Sequence, residues 1–525
     1  MTRFVEHLLI SLFNRAADRR DQPPIASAPP PPPSLPDDWA VVGHQIGEET
    51  PPPLVALSPQ ERLRHLYLLG ATGTGKTNLL LRLIESDIAQ GRSLCVVDLR
   101  GDLTDRVLLR LAVAAPPRLA ERLLFLDLRD ERFAVGFNPL GGEGDIYNRA
   151  LHVLAVIKTQ SESWGVQLEE TLRNCLLALA SSGWTLLEIE PLLTNRSFRV
   201  QVMAHVEDAR VRSFFERFNS FSPAQQTTWT LAVLNKVSPL ISLPTLRRVF
   251  GQRRALPLRA MLDKAPGQVI LVSLAVDRLH EAARLAGGLF VSTFQSAIMA
   301  RSDRPEAARI PVNLYVDEFE TMASDRFESI VAEGRRFGLG LTLCHQNNHQ
   351  LGTGLRHALR NNVHSQFYFQ TGALDAAELA PEIGGSESRE QVRETLMSQG
   401  VGQAFLVRRG QPSVRVQVLP CPDPSATRDQ VEAIKRAAQS RFSQPVGEID
   451  RELSEREALC SQRPPSPRSP RSSSQSAPSA ASTSALPAGE QAAPEPANAP
   501  RPTYEIRHEK LDRFRAHASG DSEED

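Results

Sequence analysis

The chain has 525 residues, long enough for two or three domains with a sizeable core, and its net charge of −1 means that any basic surface for nucleic acid must be local. Its five cysteines (Cys95, Cys175, Cys344, Cys421, Cys460) show no paired metal-ligand spacing, and Cys95, Cys175 and Cys344 sit in apolar runs, as buried reduced thiols of a cytosolic protein do. No apolar run approaches the ~20 residues that cross a bilayer, and the stretch 4–13 is too short, contains Glu6 and His7, and lacks a cleavage site, which argues for a soluble, unsecreted protein.

In chain order, Phe4, Leu8, Leu9, Leu12 and Phe13 share one helical face and are followed by Arg15, Arg19 and Arg20. This is a docking helix, a membrane-surface foot, or a helix packed on its own domain. A proline block at 29–33 follows as a stiff spacer, so 1–35 reads as an amphipathic helix and linker. Residues 65–69 (HLYLL) read as a buried strand running into GATGTGKT at 70–77, and 78–90 has helical periodicity ending at Gly91. The spacing Gly70-x-x-x-x-Gly75-Lys76-Thr77 is that of a phosphate loop. Glycines let the backbone of Ala71, Thr72, Gly73 and Thr74 close around phosphates, with Asn78 following in the helix. Lys76 reaches the β- and γ-phosphates as a point charge, and the Thr77 hydroxyl suits Mg²⁺. Apolar strands are expected at 93–98 (SLCVVD) and 122–128. Near-continuous apolar strands separated by helices indicate a mostly parallel sheet covered on both faces.

Between 145 and 260 strand patterns give way to helical ones, at 150–157, 168–180, 210–218 and 228–237, which predicts an all-helical insertion. Strand signals resume at 269–272, 312–316, 341–343 and 366–369, with helices at 280–300 and 326–337. A hairpin follows, 403–408 and 413–418, around Arg409-Gly410-Gln411-Pro412. The strand 312–316 ends in Asp317-Glu318, where open parallel sheets place ligand groups. Asp317 is expected to hold Mg²⁺ with Thr77, and Glu318 to orient and polarise the attacking water. Gln346 ends the next strand, as a γ-phosphate sensor or as a solvated loop amide. Arg335 and Arg336 lie between these strands, either to reach the γ-phosphate on a neighbouring subunit or to compensate a helix end at the surface. The sheet domain is thus expected at 36–144 and 261–440, interrupted by the helical insertion 145–260. A disordered Ser/Pro/Ala/Arg linker is expected at 441–502, and a short helix with an acidic tip at 503–525.

These motifs give the chain a resemblance to the FtsK/HerA superfamily of ring-shaped P-loop ATPases. Within it, the chain looks most like the type IV secretion (conjugative) coupling proteins of the TraD/TraG type. The carriers are Arg64-His65-Leu66 leading into GATGTGKT, VVDLRGDL at 96–103, and Phe137-Asn138-Pro139-Leu140. Trp164-Gly165 with Glu169 and Leu172-Arg173-Asn174 also fit, as do YVDEFETM at 315–322, AEGRRFGLGLTLCHQ at 332–346 and Gly402-Gln403-Ala404-Phe405. Two features depart from the family: the usual N-terminal transmembrane helices are absent, and Trp164-Gly165 continues as Val166-Gln167 instead of Pro-Arg.

The resemblance implies a RecA-like fold, ATP and Mg²⁺ as cofactors, and a homo-hexamer that threads single- or double-stranded DNA. It implies Gln346 as the sensor and Arg335 or Arg336 as the arginine acting in trans. Arg247, Arg248, Arg253 and Arg254 form the densest basic stretch of the folded region, at a position that caps the pore entrance in coupling proteins. They contact DNA there or form a solvated helix face. A relaxosome or secretion-channel protein is an expected partner through the N-terminal helix or the acidic tail. The expected location is cytoplasmic, or peripheral at the inner face of the membrane. The expected function is an ATPase that translocates DNA. The alternatives are a HerA-like soluble translocase, a ring that moves protein substrates, or a non-motor recruitment factor switched by ATP.

Overall fold

The computed structural model describes residues 35–461, apart from positions 117, 143, 323–324 and 385–386. The expected N-terminal helix, the proline block, the tail beyond 461 and the acidic tip lie outside the described residues.

The runs of Val, Leu and Ile that alternate with helical patterns form one 11-stranded sheet. Its strands are β1 (Ala40–Gln45), β2 (Leu54–Leu57), β3 (Leu66–Leu69), β4 (Ser93–Asp98), β5 (Leu123–Asp127), β7 (Val269–Ser273), β8 (Val312–Val316), β9 (Leu339–His345), β10 (Ser365–Tyr368), β11 (Gln403–Arg408) and β12 (Val414–Val418). β6 (Phe133–Val135) instead pairs with β13 (Ser443–Pro445) in a two-stranded ribbon. The sheet order is β2-β1-β12-β11-β10-β3-β9-β8-β4-β7-β5. Everything from β10 to β5 is parallel, and β11, β12, β1 and β2 extend the sheet antiparallel.

Strand side chains alternate between two cores. Leu66, Leu68, Leu94, Val96 and Tyr315 face helices Lys76–Ala89, Asp102–Ala114 and Arg428–Phe442. Tyr67, Leu69, Cys95, Val97, Leu314 and Val316 face the other side, including helix Glu281–Met299. From Ile146 to Leu262 the described elements are all helical. Their buried residues, among them Leu172, Phe215, Phe218 and Leu240, belong to the same continuous core as that second face.

A buried polar network ties the phosphate-loop helix to β8. Arg62 makes paired bonds to Asp87 (2.6 and 2.8 Å), which also accepts from the Tyr315 hydroxyl (2.6 Å) and the Asn313 amide (2.9 Å). Arg62 is 2 % exposed and Asp87 0 %. A charge pair so deep persists only because each oxygen has donors.

One stretch departs from expectation. Within the linker expected from 441, residues Val446–Ser461 form a helix. Ile449, Leu453 and Cys460 join the main core. Arg456 pairs with Glu188 at 2.9 Å, both largely buried, and donates to the Gly251 carbonyl at 2.6 Å. These contacts supply the burial that a Ser/Pro/Ala linker lacks.

Candidate nucleotide site

The site forms where the parallel strands β3, β8 and β9 end side by side. Gly70 follows β3, and its N–H donates to the His345 carbonyl at 3.3 Å, while the Ala71 N–H donates to the Gln370 carbonyl at 2.8 Å. A side chain at Gly70 would fall 2.6 Å from the Phe369 Cβ, so only glycine fits between β3 and β10. Gly75 turns the chain into the helix at φ 113°, with its open side 3.0 Å from Gly402 at the start of β11. The Gly402 N–H donates to the Thr74 carbonyl at 2.8 Å and braces the loop from outside.

Helix Lys76–Ala89 has no side-chain cap at its N-terminus. About half of the other long helices carry one, such as Asp145, Asp208 and Ser222. Its first N–H groups are therefore left for an anion, where the helix dipole favours negative charge. The Lys76 ammonium folds onto the Gly70 and Ala71 carbonyls at 2.6 and 2.8 Å, satisfied by loop oxygens where phosphate oxygens would bind. Thr77 is half-buried at the second helical position. Asn78 turns away: its amide donates to the Leu419 carbonyl (2.7 Å) and accepts from the Cys421 N–H (2.7 Å), locking the loop's helix to the chain beyond β12.

Opposite the loop, β8 delivers Asp317 and Glu318. Burial pushes the Asp317 carboxyl up to about 6, with Asp98 and Glu318 adding repulsion and Lys76 opposing it. A carboxylate held this way favours a bound cation. Glu318 adopts left-handed backbone (φ 50°) and its N–H donates to Asp317 at 3.0 Å. That conformation costs a non-glycine residue about 1–2 kcal/mol and turns its side chain toward Gln346, whose amide donates to it at 3.1 Å. Thus Lys76, Asp317, Glu318 and Gln346 come together at one edge of the sheet.

The sequence reading missed two members of this neighbourhood. Arg100, in the turn after β4, lies 3.5 Å from the Glu318 carboxylate, and Asp98 fixes that turn through the Arg100 and Thr104 N–H groups (3.0 and 2.9 Å). Glu320 has one buried carboxylate oxygen without a partner, and burial, helped by Glu318 and Asp317, pushes the group up to about 7. The acidic run Asp317, Glu318, Glu320 was the available signal.

Arg335 and Arg336 fall elsewhere, in the turn Gly334–Phe337 that enters β9 at its other end. Seven residues at about 3.3 Å each put them about 23 Å or more from the chain's own phosphate loop. The cluster 247–254 is also engaged within the chain. Arg247 pairs with Glu457, Arg248 pairs with Asp450 at 2.8 Å through two bonds, and Arg253 stacks on Trp184 at 3.9 Å. The first two contacts clamp helix Val446–Ser461 onto the helical block, so Arg247 and Arg248 are already paired with carboxylates, while Arg253 and Arg254 are exposed. Glu169 is likewise a fold hub, receiving Trp164, Lys158 and Arg173 at 2.8, 2.9 and 2.6 Å.

A family model described as the type IV secretion-system coupling protein DNA-binding domain matches residues 52–110, from β2 through the phosphate loop into helix Asp102–Ala114. No curated protein matches the chain at the level of sequence. Among solved structures, the bacterial conjugative coupling protein TrwBdeltaN70 in its unbound form is 18% identical with a TM-score of 0.51, over 71% of this chain and 88% of that one. The plasmid coupling protein TrwB in complex with ADP and Mg²⁺ is 18% identical at 0.52, over 72% and 89%. VirB4 of Thermoanaerobacter pseudethanolicus is 14% identical at 0.50, over 73% and 97%. Among the described residues no helix is long and apolar enough to cross a membrane. The chain therefore carries the P-loop fold of the type IV secretion coupling proteins.

Proposed function

We propose that this protein is an ATPase of the coupling-protein kind that moves DNA through a ring of its own copies. The observation that carries the reading is the junction at one sheet edge of an uncapped phosphate-loop helix, the buried Asp317 and the Gln346–Glu318 pair at 3.1 Å. The similarity to TrwB, solved with ADP and Mg²⁺ and with a non-hydrolysable GTP analogue, supports ATP and Mg²⁺ as the cofactors. The DNA-binding description of the matched family model supports DNA as the cargo.

In this reading the backbone N–H groups from Thr72 to Thr77 wrap the phosphates, and Lys76 leaves its loop carbonyls for the β- and γ-oxygens. Thr77 and Asp317 would hold Mg²⁺, whose charge offsets that of the phosphates when bound. Glu318 accepts the proton of the attacking water, and Gln346 holds Glu318 and senses the γ-phosphate. Arg335 or Arg336 is too far to serve its own nucleotide and acts on that of the next copy, a contribution of about 10³- to 10⁵-fold. A closed ring satisfies such a trans arrangement for every copy, and a hexamer is the ring proposed here. Residues 36–144 and 261–440 form the motor, with 145–260 inserted into it.

The test is the ATPase rate with and without DNA, for the unmodified protein and Glu318→Gln, with assembly followed in parallel. Strong stimulation on a hexamer, lost in Glu318→Gln, is the expected result. A rate indifferent to DNA overturns the motor and favours a recruitment factor switched by ATP.

A further inference from the structure

The sheet edge opposite the phosphate loop carries a row of basic residues that nucleotide hydrolysis does not use. β9, β3, β10 and β11 are consecutive neighbours in the sheet. Arg335 lies in the turn entering β9, Arg64 and His65 precede β3, His364 precedes β10, and Arg409 follows the antiparallel β11. All four strands thus present a basic residue at the same edge. Main-chain bonds fix the register: the His364 N–H donates to the Arg64 carbonyl at 2.9 Å, and the Arg409 N–H to the His364 carbonyl at 3.0 Å. Arg64, Arg335, Arg409, His65 and His364 line one hollow of about 190 Å³. Arg409 also borders a second hollow of about 400 Å³ with Arg360, Arg408 and Glu382, where Arg360 pairs with Glu378 and Glu382 and Arg408 with Glu61, so the unpaired charge there is that of Arg409.

The charge of this row is uncompensated. Arginines elsewhere in the chain are commonly paired, as Arg62, Arg110, Arg129 and Arg248 are. Among the described residues Arg64, Arg335 and Arg409 have no carboxylate partner, and the neighbouring Glu61 is engaged by Arg408 (2.7 Å) and the Ser365 hydroxyl (2.6 Å). His364 Nδ1 is buried without a hydrogen-bond partner. Burial and Arg335 keep His65 down at about 4, and its Nδ1 already accepts from the Leu341 N–H at 3.1 Å, so it supports the hollow from within the fold. Burial and Arg64 lower His364, which leaves His364 as a neutral polar contact.

Guanidinium forks gathered without carboxylates call for an anion, and their planar geometry matches phosphate oxygens. The length of the row selects among anions. Four strands at 4.7–4.9 Å spacing span roughly 15 Å, far more than one phosphate needs and about four nucleotide steps at 3.4 Å. We propose that this row binds the phosphodiester backbone of nucleic acid, at the end of the sheet opposite the ATP site. The inference rests on the DNA-motor reading and names where that motor grips. β3 and β9 then join the two sites directly, with Arg64 and Gly70 at the two ends of one strand and Arg335 and Gln346 at the two ends of the other. Placing Arg335 in the row leaves Arg336 for the neighbour's nucleotide.

The experiment is fluorescence-anisotropy titration of the full chain with single- and double-stranded oligonucleotides over a range of KCl, for Arg64→Gln/Arg409→Gln, Arg64→Lys/Arg409→Lys and Arg409→Gln alone. Each lost phosphate contact lowers the slope of log K against log salt by about 0.9 on duplex or 0.7 on single strands. The double Gln variant should lose about twice that and at least tenfold in affinity, with ATP-analogue binding intact, while the Lys variant keeps its slope. Arg409 is exposed on a turn, so Arg409→Gln tests the point even if the double variant does not fold. An unchanged slope in the Gln variants overturns the proposal and leaves the motor standing. Loss of assembly with the slope unchanged assigns this edge to contacts between copies and also overturns it. If the unmodified protein binds no DNA, the motor reading falls and takes this proposal with it.

Discussion

Asp317→Asn should make the nucleotide-free protein more stable while removing its hydrolysis. Burial carries this carboxyl from 3.8 to about 6, so the folded chain holds the proton more tightly than the unfolded chain. Between those two values the folded state binds more protons, and stability falls as pH rises through that window. Above it both states are ionised and the folded state bears the full cost of the buried charge, about 3 kcal/mol at 1.36 kcal/mol per tenfold change in proton affinity. Asn keeps the oxygen that accepts the Glu318 N–H and carries no charge. The variant should therefore exceed the unmodified protein by about 3 kcal/mol at pH 8, and the gain should fade toward pH 4. Urea unfolding followed by tryptophan fluorescence, with chelator and no nucleotide, measures both. Adding Mg-ATP should reverse the order, because only the unmodified site binds the pair well and gains by mass action. A variant no more stable at pH 8, or a gain equal at both pH values, would refute the reasoning.

Other outcomes are equally specific. Gln346→Ala removes the 3.1 Å bond to Glu318 and should slow hydrolysis about 10²-fold with nucleotide affinity retained, which steady-state kinetics and nucleotide titration separate. Gly75→Ala forces a side chain at φ 113° to within 3.0 Å of Gly402, and a fluorescent ATP analogue should bind at least about tenfold more weakly; unchanged affinity would contradict the bracing contact. Arg456→Met leaves Glu188 buried and unpaired and should cost about 3–5 kcal/mol, most of it recovered by adding Glu188→Gln, which removes the charge and keeps an oxygen for the Thr185 N–H and hydroxyl. Denaturant midpoints of the single and double variants decide that case. Replacing Arg247, Arg248, Arg253 and Arg254 by Ala should leave the salt slope of DNA binding unchanged but speed amide exchange in helix Val446–Ser461, because the first two arginines hold its carboxylates.

The P-loop fold was legible because its signals are local. GATGTGKT needs only adjacent residues to declare a strand, a glycine turn and a helix, and β4, β5, β7 and β8 are unbroken apolar runs that leave little choice of element. β1 and β2 went unread: Ala40–Gln45 contains Gly43 and His44, and it is a strand because β12 and β2 pair with it on either side. Helix Val446–Ser461 did carry a signal, since Ile449, Leu453, Arg456 and Cys460 fall at helical spacing on one face. Its many charges resemble those of a linker, and only Glu188 and the core, distant in sequence, receive that face. Asn78 illustrates the limit at the site, because its place after the phosphate loop gives no hint that Leu419 and Cys421 occupy its amide.

By itself the sequence determined the chemistry on offer: a phosphate loop, an acidic pair after a strand, and a parallel sheet to carry them. These depend on neighbours within a few positions, where backbone sterics and periodicity act. Only the tertiary structure decided which arginines are free. Arg247 and Arg248 look exposed in a basic run, yet Glu457 and Asp450, some two hundred positions away, neutralise them. Arg64, Arg335 and Arg409 look unrelated in the chain, yet the strand order brings them to one edge without a carboxylate. A side chain's charge is written in the sequence, but its compensation depends on distance in space, and the order of strands in the sheet sets that distance.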